Sequence, residues 1–264
     1  MTMTKKVEAP IFGEMISPNK LIGMNLSEAK KLDIQIGNKT YKMEQVFSLE
    51  ESGSEKKLLL IGDLSHVRFV GRGMTEGSIL VEGKAGPYLG DSMKGGEIIV
   101  KGDADSWLGA RMLGGTIEIH GNAGNFVGAA YRGSLRGIKN GTIKIHGSCG
   151  SWAGLQSRGG LIWIDGDAGL LPGMHMSAGE VYIGGGCGGI PGAEMIGGKI
   201  AIAGRLSGSV LPSFSYDKTR TPKIGGVKLD KQFYTFTGDI AQGGSGKLHI
   251  GVEANPHLKY LEEL

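Results

Sequence analysis

Six histidines and two cysteines are the side chains of this 264-residue sequence best suited to chemistry, and their spacing decides how much they can do. His175, within LLPGMHMSAG, falls in a turn region and is the best-placed general base, because an imidazole titrates near neutral pH. No carboxylate or nucleophile is evident to pair with it, so catalysis is not expected. His120 and His146 take equivalent positions in neighbouring repeats, inside a ladder Glu82, Lys101, His120, His146, Asp165. Two such imidazoles would offer a metal two ligands, but side chains of both signs along one edge read as a solvated charge ladder. Gly184-Gly185-Gly186-Cys187-Gly188-Gly189 satisfies G-x-G-x-x-G after a strand, yet no helical pattern follows to turn its N-terminus on a phosphate. Walker A, G-x-S-x-G, H-E-x-x-H and C-x-x-C patterns do not occur. The expectation is therefore no catalytic residue, no cofactor-binding residue and no metal ligand in this chain.

The elements that hold these residues are announced by glycine. There are 49 glycines and 8 prolines in the chain, which fits neither collagen nor a Pro/Gly-rich disordered tract, so the glycines must be positional. The segments GSILVEG, GEIIVKG, GTIEIHG, GTIKIHG, GLIWIDG, GEVYIGG and GKIAIAG begin at Gly77, Gly96, Gly115, Gly141, Gly160, Gly179 and Gly198, in steps of 19, 19, 26, 19, 19 and 19. The long step holds a seven-residue insertion, read as Ser134 to Asn140. Each repeat follows G-x-I-x-[IV]-x-G-x-A-G-x-Φ-x-G-x-x-M-x-G, with Φ aromatic or aliphatic. Nineteen residues suit one coil of a solenoid whose strands stack in parallel about 4.8 Å apart. The predicted architecture is all-β: a right-handed parallel β-helix of about seven coils with N- and C-terminal caps.

Within each coil the residues after the first glycine alternate with period two. Ile79, Val81, Ile98, Val100, Ile117, Ile119, Ile143, Ile145, Ile162, Ile164, Val181, Ile183, Ile200 and Ile202 are thus predicted to form one buried face. The Φ slot (Tyr88, Trp107, Phe126, Trp152, Leu171, Ile190) and the Met slot (Met93, Met112, Tyr131, Ser157, Met176, Met195) are predicted as two further internal ladders. Cys149 and Cys187 share a small-residue slot with Ala85, Ala104, Ala123 and Ala168 and lie two coils apart, about 9 to 10 Å, beyond disulfide reach. Residues 1–56 read as an N-terminal cap, with a short helix near Ser27 to Leu32 and a hairpin at Ile34 to Met43. Residues 57–206 read as the repeat domain and 207–264 as a C-terminal extension and cap, in which a long loop precedes strand-like FYTFTG and GKLHIG.

Partners leave a weaker trace. The 29 basic and 26 acidic residues, net +3, are mixed along the chain and make no stripe for nucleic acid. No leader or membrane span is read, so a cytoplasmic location is expected. The central outward strand position reads Leu80, Ile99, Glu118, Lys144, Trp163, Tyr182, Ala201, apolar at both ends where water is expected. Leu80 and Ile99, and Leu161 with Trp163 and Tyr182, are therefore candidate partner surfaces, with cover by the chain's own extension as the competing reading. Insertions in solenoids project at binding faces, which adds Tyr131, Arg132, Leu135 and Arg136.

The repeat resembles the glycine-rich β-helix shared by the C-terminal domain of the glutamate synthase large subunit and the C subunit of formylmethanofuran dehydrogenase. The flanks, LPSF-Y at Leu211 to Tyr216, FYTFTGDIAQGGSGKLHIG at Phe233 to Gly251 and ANPHLKYLEEL at Ala254 to Leu264, are similar to those of the dehydrogenase C subunit. This resemblance implies a non-catalytic scaffold of a complex that reduces CO2 and captures it as N-formylmethanofuran, the opening step of methanogenesis. It also implies a molybdenum or tungsten pterin subunit, a metal-dependent amidohydrolase-like subunit and ferredoxin-type iron-sulfur subunits as partners. The formyltransferase/hydrolase complex of methylotrophs uses a similar subunit and stays open as an alternative. A hexapeptide-repeat β-helix acyltransferase is disfavoured by the 19-residue step.

Overall fold

The computed structural model describes residues 1–5, 7–51 and 56–263; Lys6 and residues 52–55 of the N-terminal segment and Leu264 of the tail lie outside it. The repeat forms a β-solenoid of about 8 turns. Its principal sheet stacks Lys57–Ile61, Ser78–Glu82, Glu97–Val100, Thr116–Ile119, Thr142–Ile145, Arg158–Ile164, Ala178–Ile183 and Lys199–Ile202 in parallel. The imperfect coil ahead of Gly77 thus joins the column. Ile79, Ile98, Ile117, Ile143, Ile162, Val181 and Ile200 stand in register, rung upon rung, as do Val81, Val100, Ile119, Ile145, Ile164, Ile183 and Ile202. All are at most 1% exposed. Each aliphatic side chain so buried contributes about 1.5–3 kcal/mol.

The corners explain the rest of the repeat. In each regular coil the Φ residue, the glycine two places on and the residue two further on all take positive φ; in one coil these are Trp107 (66°), Gly109 (59°) and Arg111 (55°). This alternation swings consecutive side chains in opposite directions. Tyr88, Trp107, Phe126 and Trp152 consequently lie on the outside of the corner, half-buried, while their successors Leu89, Leu108, Val127 and Ala153 fill the interior at 2% exposure or less. The expected internal Φ ladder is corrected accordingly. The Met ladder is internal as predicted at Met93, Met112, Met176 and Met195, all 0% exposed, but Tyr131 is not its member. The Ile138 amide donates to the Gly128 carbonyl, as the Met112 amide does to Gly109, and Ile138 takes the Met slot at 0% exposure. The insertion is therefore 131–137, not Ser134 to Asn140, because register is set by this backbone bond.

Both ends of the column are closed by the chain's flanks. At one end Thr2–Met3 pairs with Lys57–Ile61 and with Phe47–Ser48, while the hairpin Asp33–Ile36/Lys39–Lys42 packs through Ile11–Phe12 onto Val67–Arg68. The expected short helix is Leu26–Lys30, started by an Asn25/Glu28 capping box. At the other end Gly246–Gly251 adds a parallel rung to Lys199–Ile202, placing Leu248 and Ile250 over Ile200 and Ile202. Phe233–Gly238 and Ser215–Arg220 extend the sheet antiparallel, giving 13 strands among the described residues. The long loop expected from the sequence contains that last strand, SYDKTR, whose polar residues suit an exposed edge.

Candidate functional site

The outer surface of the column carries three groups of side chains with functional potential. The first is an aromatic file along one corner. Phe12, Phe69, Tyr88, Trp107, Phe126 and Trp152 stack in succession, with ring centroids 6.4, 4.6, 6.0, 4.3 and 4.8 Å apart. From Phe69 to Trp152 the ring residues have a left-handed backbone, which is unfavourable for residues with a Cβ, and ring stacking of about 0.5–1.5 kcal/mol per pair offsets part of that.

The insertion is clamped onto this file. Tyr131 meets Tyr88 and Trp107 edge-on, at 5.9 and 5.2 Å, and the Arg111 guanidinium lies 4.2 Å from the Tyr131 ring centroid. Arg111 in turn chelates Asp91 at 3.0 and 3.1 Å, and Arg72 adds a contact of 3.1 Å to the same carboxylate, which is 0% exposed. Burial, then the nearby Asp91 charge, push the Tyr131 hydroxyl well above the ordinary tyrosine range. Beyond this anchor Arg132, Leu135 and Arg136 face solvent, Leu135 at 75% exposure. Of the predicted interface residues, the structure brings these four together at one corner.

Leu80 and Ile99 sit adjacent on the strand face and are partly exposed. Leu161, Trp163 and Tyr182 are partly buried by the C-terminal extension, against a cluster of Ala201, Ile224, Leu229 and Phe233. Trp163 stacks on Tyr182 at 4.0 Å and donates from Nε1 to Asp165 at 2.7 Å. The cover anticipated as the competing reading is therefore present, and this end of the face is a composite of strand and extension.

The third group is the histidines. His146 Nε2 lies 2.6 Å from Glu118 and Nδ1 3.1 Å from Asp165, while Lys101 Nζ is 3.4 Å from His120 Nε2. Hydrogen bonding from His146 holds the Glu118 carboxyl below the usual range. Glu118, His120 and His146 offer ligand atoms within 4.8 Å of one another, a group of three that could hold a metal ion; Asp165 engages the other His146 nitrogen, and Lys101 brings positive charge to His120. His175 does have a carboxylate partner, Glu194 Oε2 at 3.4 Å; it is not evident from the sequence because it comes from the next coil, 19 residues on. Gly184 to Gly189 run from a strand into the strand Cys187–Gly189, with no helix. Cys149 and Cys187 are buried free thiols separated by the Ala168 rung, and burial pushes them up to about 12 and about 11.

His249, which carries no motif in the sequence, continues the outward ladder beyond Ala201. It is 0% exposed, and burial, then the charges of Arg220, Lys199 and Lys247, push it from 6.5 down to about 4. An imidazole held neutral in the fold but protonated when unfolded makes the unfolded state bind more protons between those values. Stability is then fully present above about pH 6.5 and falls as pH drops towards 4, by on the order of 3 kcal/mol. Urea denaturation at pH 7 and 4.5 should show this loss in the natural chain and a smaller one in His249→Gln.

No family model matches the chain. Among characterised proteins it is similar to the C subunit of the molybdenum-containing formylmethanofuran dehydrogenase 1 of Methanothermobacter marburgensis, 40% identical over 84 residues, covering 31% of this chain and 21% of that protein. It is similar also to the C subunit of the tungsten-containing formylmethanofuran dehydrogenase 2 of the same organism, 36% identical over 94 residues, 34% of this chain and 35% of that one. The matched segments thus span about a fifth to a third of those relatives. Among solved structures, a chain of the formyltransferase/hydrolase complex (FhcABCD) of Methylorubrum extorquens, crystallised with methylofuran, superposes with a TM-score of 0.86 and 28% identity. That match covers 95% of this chain and 98% of the other. The curated relatives of the chain are thus C subunits of formylmethanofuran dehydrogenase, and its fold, caps included, is that of a chain from a related complex.

Proposed function

We propose that this chain is the non-catalytic scaffold subunit of a cytoplasmic formylmethanofuran dehydrogenase complex, which reduces CO2 and fixes it as N-formylmethanofuran. The observation that carries the reading is the near-complete likeness of the chain to one that works inside a multi-subunit assembly, joined to relatives that bear the dehydrogenase name. A close-packed column with rigid corners is suited to hold neighbours at fixed separations. In this reading a molybdenum or tungsten pterin subunit, a metal-dependent amidohydrolase-like subunit and ferredoxin-type subunits supply the chemistry and the cofactors. The clamped insertion and the Leu80/Ile99 face meet them.

A second reading, the corresponding subunit of a formyltransferase/hydrolase complex, is favoured by the full-length structural match. Native affinity purification of the tagged chain, with its partners identified and tungsten, molybdenum, iron and zinc measured, separates the two. Pterin metal and iron-sulfur partners support the dehydrogenase; formyltransferase and amidohydrolase-like partners without pterin metal support the second reading. Isolation of the chain alone contradicts both.

Leu135, the most exposed apolar residue of the insertion, gives a local test. Leu135→Glu should weaken assembly at least tenfold, the scale of a central apolar contact, and leave the melting temperature of the free chain within about 2 °C. Unchanged affinity in a titration of the purified subunits would remove the insertion from the interface.

A further inference from the structure

The C-terminal end of the column holds a cavity of about 340 Å³ lined by Lys199, Arg220, Thr221, Pro222, Lys223 and His249. Two of these residues point unmet polar atoms at buried positions: His249 Nε2 and Arg220 Nε have no hydrogen-bond partner. Buried polar atoms left unpaired typically cost about 1–3 kcal/mol each, so two beside one cavity require an explanation.

The charges around the cavity say what would satisfy them. Lys199 is paired with Glu180 at 2.7 Å, and Lys247 is engaged by Thr237 at 2.6 Å and Asp217 at 3.6 Å. Arg220 and Lys223 have no carboxylate within salt-bridge distance among the described residues, and the lining contains no acidic side chain. Thr235 Oγ1 lies 3.0 Å from His249 Nδ1. If the Thr235 hydroxyl donates to Nδ1, a neutral ring carries its proton on Nε2 and offers an N–H to the cavity. Burial, then the charges of Arg220, Lys199 and Lys247, keep the His249 ring neutral, against an opposing pull from the Glu180 carboxylate that Lys199 pairs with.

We infer that this cavity is a binding site for a small oxyanion of the carboxylate or phosphate class, held by the Nε2–H of His249, the Nε–H of Arg220 and the charge of Lys223. A guanidinium beside a neutral imidazole donor matches oxygen acceptors on one anion, and charge-assisted bonds of this kind are the strong ones. The inference does not depend on which complex the chain joins.

The test is long-range 1H–15N imidazole NMR of the isotope-labelled full chain, titrated in parallel with sodium acetate and inorganic phosphate at constant ionic strength set by sodium chloride. The expected result is a saturable shift of the His249 nitrogens with one anion or both, and a rise in the pH at which His249 titrates. Saturation by acetate alone marks a carboxylate site, and by phosphate alone a phosphate site. Arg220→Gln should weaken binding about tenfold, the loss of one charge-assisted bond. Lys223→Met, at the exposed position of a two-residue strand, should also weaken it while the melting temperature holds. No saturable shift up to about 50 mM of either anion, well above the millimolar affinity of a weak specific site, would overturn the assignment. So would shifts reproduced by chloride alone, or unaltered in both variants.

Discussion

Asp91→Ala is expected to destabilise the chain by about 2–3 kcal/mol and to free the insertion from its corner. The Asp91 carboxylate is completely buried between the guanidinium groups of Arg72 and Arg111. Removing one member of a buried pair costs about 3–5 kcal/mol, because the remaining charge is left uncompensated. Here the two arginines are 40% and 32% exposed and reach water, which lowers the figure. Arg72 also keeps Glu14 as a partner, whereas Arg111 has its cation–π contact with Tyr131 and little else. Urea denaturation should show the loss of stability, and limited proteolysis should cut residues 131–137 at least tenfold faster than in the natural chain. Unchanged proteolysis would mean that Asp91 does not anchor the insertion.

Gly109→Val should be more damaging still, about 3–5 kcal/mol. Its φ of 59° is not decisive alone, since Trp107 and Arg111 adopt similar angles in the same coil. What distinguishes Gly109 is space: a Cβ there would stand 2.5 Å from Ile143 Cδ1 and 3.3 Å from Ile117 Cδ1, both in the fully buried ladder. Backbone strain of roughly 1–2 kcal/mol adds to overpacking of about 1–3 kcal/mol, and a second γ-methyl worsens the clash. Gln156→Gly, at an outward corner position with φ of 56°, is the matched control and should change stability by less than about 1 kcal/mol. Equal effects of the two substitutions in guanidinium titrations would contradict the packing account.

The same contrast shows what was legible in the sequence. Strand alternation revealed the inner ladder because period two leaves each side chain only one of two faces, and every residue so assigned is buried. The corners obey no such period. At Trp107-Leu108 two consecutive apolar residues compete for the interior, and the left-handed φ of Trp107, visible only in the backbone, sends the larger one out. The pairing of an aromatic with a following aliphatic at Tyr88-Leu89, Trp107-Leu108 and Phe126-Val127 was the available signal. The boundary of the insertion was hidden because Tyr131 and Ile138 are both apolar enough for the Met slot; the bond from Ile138 to Gly128 decides between them.

The candidate sites were less legible than the fold, for a related reason. A repeat places residues 19 apart in contact, so His175 finds Glu194, but the insertion lengthens the step between Glu118 and His146 to 28. His249 escapes notice because more than forty residues of extension separate its strand from the preceding rung, Lys199–Ile202. Only the register Ala201 to His249 shows that GKLHIG is a further rung of the column. Burial of Trp163 and Tyr182 depends on the same returning segment, through Ile224, Leu229 and Phe233.

A scaffold of the proposed kind positions catalytic neighbours and contributes no chemistry of its own. This can be tested by the specific activity of the purified complex assembled with His146→Ala and His175→Ala together, since these partly exposed imidazoles, each beside a carboxylate, are its best-placed acid–base groups. A general acid or base contributes about 10²–10⁴-fold to a rate. Activity of the doubly substituted complex is expected within about threefold of the natural one, well short of that range. Loss of a hundredfold or more, with the set of partners and the metal content unchanged, would contradict it.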